Sequence, residues 1–125
     1  MKLVLLVEDE YGNAEVLQLL LETAGYRVAT ASNGKLALEI LGSGEKPALI
    51  LSDFMMPTMN GAELGVAVRN NPTLSQVPFI FMSGTNQQVV QESFRDYDAF
   101  LSKPFDVSAL LELVGRLIES GRAAD

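Results

Sequence analysis

LILSDFMMPTMNG, Leu49–Gly61, is an apolar run that stops at one carboxylate, Asp53, and continues into two methionines, a proline and a turn ending in glycine. Three large aliphatic residues in a row suit a strand covered on both faces, as in a parallel sheet. Asp53 has no second acid beside it in sequence. Any acidic partner it has must arrive from another strand.

Four other short apolar runs surround this one: KLVLLV (Lys2–Val7), RVATA (Arg27–Ala31), PFIFM (Pro78–Met82) and AFLS (Ala99–Ser102), with the central strand itself read as ALILS (Ala48–Ser52). Between them the apolar spacing is helical. Leu17, Leu20, Leu21 and Ala24 fall at i, i+3, i+4 and i+7, with Gly25 as a stop. Leu36, Ala37, Ile40 and Leu41 repeat the pattern and close at Gly42. Ala62–Val68, Asn86–Phe94 and the series Val107, Leu110, Leu111, Val114, Leu117, Ile118 complete five helices, the last with Gly121 just beyond it. Strand then helix, five times, predicts an α/β domain with a parallel sheet. RVATA is the most polar run and suits an edge. Right-handed crossovers leave every C-terminal strand end on one rim, where the site of an open sheet lies.

Composition excludes several functions. The 125 residues fit one domain. The net charge of −7, with nine Lys plus Arg, argues against direct nucleic-acid binding. There is no Cys and no His, so thiol nucleophiles, disulfides and a histidine base are absent. The apolar start, Leu3–Val7, is too short for a signal peptide and runs into three acids. No stretch has the length of a membrane span. A cytoplasmic protein without membrane contact is the expectation.

The predicted rim gathers chemistry. Glu8, Asp9 and Glu10 follow the first strand, Ser32 and Asn33 the second, Asp53 the third, Ser83 the fourth and Lys103 the fifth. Each has an ordinary reading alone: Asp53 as a loop acid or helix cap, Ser83 as a turn residue, Lys103 as a surface lysine, Phe100 as core. Their joint order points to a site. Clustered carboxylates repel unless a cation joins them, and Mg²⁺ takes oxygen ligands while keeping several waters. Asp9, Asp53, a backbone carbonyl and nearby Glu8 suit it. A carboxylate nucleophile beside a metal, a hydroxyl and an ammonium is equipped for phosphoryl transfer.

VLLVEDE, LILSDFMMPTMNG, VPFIFMSGT and AFLSKPF together resemble the two-component receiver domain, over Lys2 to about Ser120. The resemblance implies a flavodoxin-like doubly wound sheet of order 2-1-3-4-5 with five helices on two faces. It implies a receiver domain over residues 1–121 and a C-terminal tail at 122–125. It makes Asp53 the phosphoacceptor, Asp9 a direct ligand of Mg²⁺ (or Mn²⁺), Glu8 a ligand through water, and Met55 the source of a metal-binding carbonyl. Ser83 becomes the switch hydroxyl, Phe100 the switch aromatic, and Lys103 the phosphate-side cation, followed by Pro104 in a cis peptide. Pro57 and Gly61 match the turn after the acceptor.

The implied function is a signalling phosphoacceptor that takes part in its own phosphorylation and dephosphorylation. The donor is a sensor histidine kinase or histidine phosphotransfer protein, and the receiver of the signal is another protein or the remainder of a longer chain. A monomer is expected, or a dimer that forms on phosphorylation. The alternative is a pseudo-receiver that binds partners without phosphorylation. A haloacid-dehalogenase-type phosphatase expects a second Asp where Met55 stands. A nucleotide or flavin binder expects a phosphate loop where EDEYGN stands. The chain departs from the family pattern at Glu8, where Asp is commoner, and at FRDYDAF (Phe94–Phe100), which replaces a small-residue turn and leaves the fourth helix and the output face open. On the first helix, Leu19 points away from the core direction with Val16 beside it. In receivers this helix contacts the donor, so Val16 and Leu19 are expected to dock it.

Overall fold

The computed structural model describes residues 1–122. Five strands alternate with five helices: β1 (Leu3–Val7), α1 (Tyr11–Thr23), β2 (Arg27–Ala31), α2 (Gly34–Ser43), β3 (Leu49–Asp53), α3 (Gly61–Asn70), β4 (Phe79–Ser83), α4 (Gln87–Ser93), β5 (Ala99–Ser102) and α5 (Val107–Ser120). All pairs are parallel and the order is β2-β1-β3-β4-β5. Strands β3 and β4 are buried along their whole length. The polar run, β2, takes an edge as expected.

Each face of the sheet has its own core. Val4, Leu6, Leu49, Leu51, Ile80, Met82 and Leu101 meet α1 and α5 through Leu17, Leu21, Leu110 and Val114. The alternate residues, among them Leu5, Val7, Ile50, Phe79 and Phe81, meet α2, α3 and α4 through Ala37, Leu64, Val68 and Val90. Phe79, Phe81 and Phe94 pack edge to face, with centroids 4.9 to 6.1 Å apart. Phe94 lies against α3 at Gly65, where a Cβ would come within 2.5 Å of its ring.

Short polar residues start α2, α3, α4 and α5. Asn33 accepts from Leu36 N, Asn86 from Gln88 N and Asp106 from Ser108 N. Asn60 and Glu63 form a capping box at α3.

Three expectations need correction. Ala24 does not face the sheet: it is the exposed C-cap of α1, its N–H bonded to the Leu20 carbonyl, and Gly25, whose N–H reaches the Glu22 carbonyl, turns the chain at φ 103°. The second helix runs past Gly42 to Ser43, because the Gly44 N–H still reaches the Ile40 carbonyl at 3.0 Å. Leu36 and Val107 stand in the first turns of their helices, where the sheet no longer covers them, and are 41% and 39% exposed.

An ion-pair network closes the end of the sheet opposite the rim. The Asp98 carboxylate accepts from Arg69 at 3.0 Å, Arg122 at 3.0 Å and Phe79 N at 2.8 Å. Arg122, the first residue of the expected tail, also pairs with Asp96. Residues 123–125 of that tail lie outside the described residues. No helix of the described residues is long and apolar enough to cross a membrane.

Candidate functional site

Strand alternation carries the core pattern up to the rim. Val4 and Leu6 lead to Glu8, Leu49 and Leu51 to Asp53, and Leu101 to Lys103, all toward α1 and α5. Phe79 and Phe81 lead to Ser83 on the other face, which Phe100 shares. Asp53 and Ser83 are the last paired residues of their strands, each one position beyond the strand end expected from sequence. Backbone bonds from Phe54 N to Met82 O (3.1 Å) and Lys103 N to Ser83 O (2.9 Å) extend the ladder past them.

The Lys103 ammonium donates to Asp53 Oδ2 at 3.0 Å and lies 3.4 Å from Glu8 Oε2. Phe54 N–H donates to Asp53 Oδ1 at 2.9 Å, and Glu10 N–H to Glu8 Oε1 at 3.1 Å. Glu8 and Asp53 are buried, whereas Asp9 is exposed above them. One oxygen of each of the three acids lies within 4.8 Å of the others. That all-oxygen set fits a hard divalent cation.

Burial, with Asp53 close by, lifts the Glu8 carboxyl to about 7, against the pull of the Glu10 N–H and Lys103. Burial works to lower the Lys103 pKa, but the hydrogen bond and charge of Asp53, helped by Glu8, leave it raised.

The turn after β3 holds this arrangement. Met59 N bonds Pro57 O at 2.7 Å, Thr58 adopts φ 70°, and Gly61 N returns to Phe54 O at 2.8 Å. A Cβ on Gly61 would sit 2.6 Å from the Asp53 carbonyl oxygen and 2.6 Å from the Phe81 ring, so only glycine fits. The Lys103–Pro104 peptide is cis.

Glu8, Asp9, Asp53 and Lys103 thus come together. Ser83 is buried, its Oγ accepting from Thr85 N at 2.8 Å. Phe100 is half-buried, its centroid 6.2 Å from that of Tyr97. Met55 is 62% exposed in the loop after β3. Val16 lines a groove of about 230 Å³ with Leu17, Leu20, Lys103, Pro104 and Phe105. Leu19 is exposed and stands outside that lining. Tyr97 escaped the sequence reading, because it precedes β5 and follows no strand or helix period. Its place in the atypical FRDYDAF segment was the available signal.

A family model described as response regulator receiver domain matches residues 4–115, and the chain belongs to that family. It is 36% identical over 119 residues to ycf29 of Pyropia yezoensis, described as a probable transcriptional regulator, covering 92% of this chain and 52% of that protein. The chain therefore spans about half the length of that relative. The signal receiver domain of a signal transduction histidine kinase from Syntrophus aciditrophicus superposes with a TM-score of 0.89 at 31% identity, covering 100% of this chain and 96% of that one. The response regulator TrrA of Thermotoga maritima, solved in complex with Mg²⁺-BeF, gives 0.84 at 30% identity, covering 94% and 99%.

Proposed function

We propose that the protein accepts a phosphoryl group on Asp53 from a phosphohistidine of a sensor histidine kinase or histidine phosphotransfer protein. The phosphohistidine P–N bond breaks, a P–O bond to an Asp53 carboxylate oxygen forms, and the imidazole departs with its electron pair. The observation that carries this reading is the Lys103 ammonium held between buried Asp53 and Glu8 with Asp9 completing the acid trio.

Lys103 neutralises charge on the transferring oxygens without reorganising, because its partners already hold it there. Phe54 N–H holds the other acceptor oxygen in place. Glu8, Asp9, Asp53 and the Met55 carbonyl would hold Mg²⁺, with Mn²⁺ an acceptable substitute. When bound, the ion supplies further charge neutralisation for the phosphoryl oxygens. The chain has no histidine, so the donor is a separate site. Water attacking the aspartyl phosphate forms a P–O bond, breaks the P–O bond to Asp53 and releases inorganic phosphate, which regenerates the carboxylate; the protein is a signalling phosphoacceptor that assists its own turnover.

The aspartyl phosphate adds acceptor oxygens at the rim. The Ser83 hydroxyl then donates to one of them, and Phe100 turns inward. The change is read on the face formed by α4, β5 and α5. The donor docks on α1 through Val16 and Leu19. This reading places the protein in the cytoplasm as a monomer that can dimerise on phosphorylation.

Beryllofluoride with Mg²⁺ tests the proposal as a phosphoryl mimic. Amide NMR shifts should spread from Asp53 to Ser83, Phe100 and α5. Shifts confined to residues around Asp53 would contradict the switch, and no binding would contradict the acceptor.

A further inference from the structure

We infer that Tyr97 is a positioning residue of the switch, coupling the ring of Phe100 to the start of α4; this rests on the phosphoacceptor reading of Asp53. The Tyr97 ring lies between two aromatics of the Ser83 face. Its centroid is 5.4 Å from Phe81 at 66° and 6.2 Å from Phe100 at 50°. Its hydroxyl accepts from Gln87 Nε2 at 3.0 Å. Phe81 precedes Ser83 by two residues in β4, and Gln87 is the first residue of α4. One side chain therefore touches the strand that carries the switch hydroxyl, the switch aromatic and the helix of the output face.

The rest of α4 is anchored elsewhere. Val90 is its buried residue, and its C-cap Phe94 packs on Phe79, Phe81 and Gly65. Asn86 caps Gln88 of the same helix, which ties α4 only to itself. Among the described residues, Gln87–Tyr97 is the side-chain hydrogen bond that joins the first turn of α4 to the approach to β5.

The backbone on either side of Tyr97 is held. Phe94 is buried before it, and Asp98 after it is bound to Arg69, Arg122 and Phe79 N. The phenol is thus the movable part of a fastened segment. When Phe100 leaves its packing with Tyr97, the phenol loses one wall. The change reaches Gln87 through the hydroxyl. A two-state element biased from both ends is the physical requirement for such coupling.

The test uses the full chain. The protein has three tyrosines, so 3-fluorotyrosine labelling gives three fluorine signals, and Tyr97→Phe assigns the relevant one. On adding beryllofluoride and Mg²⁺, the Tyr97 signal and the amides of Gln87–Ser93 should shift in the wild type. In Tyr97→Phe, which removes the accepting hydroxyl, and in Gln87→Ala, which removes the donating amide, the α4 shifts should shrink at least about twofold. Shifts at Asp53 and labelling by acetyl phosphate should persist in both, which a general loss of structure would not allow. Undiminished α4 shifts in both variants would overturn the inference. So would an unmoved Tyr97 fluorine signal while the Phe100 amide shifts. A wild type with no shift at Asp53 would instead overturn the phosphoacceptor reading, and the coupling with it.

Discussion

Lys103 Nζ lies 3.0 Å from Asp53 Oδ2 and 3.4 Å from Glu8 Oε2, so a single ammonium serves two buried carboxylates delivered by different strands. The question raised by an Asp alone at a strand end is answered here: its acidic partner comes from β1 and its counter-ion from β5.

Removing that ammonium should have two effects. Lys103→Ala leaves Glu8 and Asp53 facing each other, at a cost of about 1–2 kcal/mol at neutral pH, moderated because the lysine is 29% exposed. Phosphorylation of Asp53 should slow by about 100-fold, as for loss of one charge-stabilising donor. Urea melts and timed intact-mass labelling report the two separately. Wild-type labelling kinetics would contradict the role given to Lys103.

The metal-free protein should lose stability as pH rises. The Glu8 carboxyl titrates at about 7 in the fold and near 4.5 in the ordinary state. Between those values the folded form binds the extra proton, so its stability is full below about 4.5 and is lost as pH rises through 7. Thermal melts in EDTA should show this slope in the wild type and not in Glu8→Gln. Mg²⁺, which requires the deprotonated carboxylate, should bind more tightly over the same rise in pH and oppose the loss. A wild-type slope equal to that of Glu8→Gln would contradict the account.

Asp98 should matter for stability and not for labelling. Asp98→Ala removes the buried carboxylate that Arg69, 8% exposed, and Arg122 share, although Arg69 keeps the Ser75, Val77 and Asp96 carbonyls, and it leaves Phe79 N–H without its acceptor. A loss of about 3 kcal/mol or more is expected in urea unfolding. Acetyl-phosphate labelling of the folded fraction should be unchanged. An unmoved unfolding midpoint would show the network to be idle.

The sequence disclosed most of this arrangement for a physical reason. Strands buried on both faces read as unbroken apolar runs, and β3 and β4 are buried throughout. Parallel topology then sends their ends to one rim, so the strand order along the chain already groups Glu8, Asp9, Asp53 and Lys103. What escaped depends on contacts without local period. Asp98 meets Arg69 across 29 positions and Arg122 across 24, and Tyr97 meets Gln87 from an irregular segment. Helical spacing also does not register where a helix ends, so Ala24 fits the apolar period yet lies at the C-cap of α1.

Docking on α1 separates a protein donor from a small one. Leu19 is 65% exposed and Val16 58%. Leu19→Glu should slow transfer from a phosphorylated kinase or phosphotransfer protein by tenfold or more, about 1.4 kcal/mol or more of docking energy. Labelling by acetyl phosphate and the melting temperature should stay as in the wild type. Equal slowing with both donors would make Leu19 structural.

The most direct test of the central claim is the intact mass of the protein after incubation with acetyl phosphate and Mg²⁺. The account predicts a gain of one phosphoryl group, about 80 Da, that is absent with EDTA and absent in Asp53→Asn. A gain of the same size and rate in Asp53→Asn, or no gain in the wild type, would contradict it.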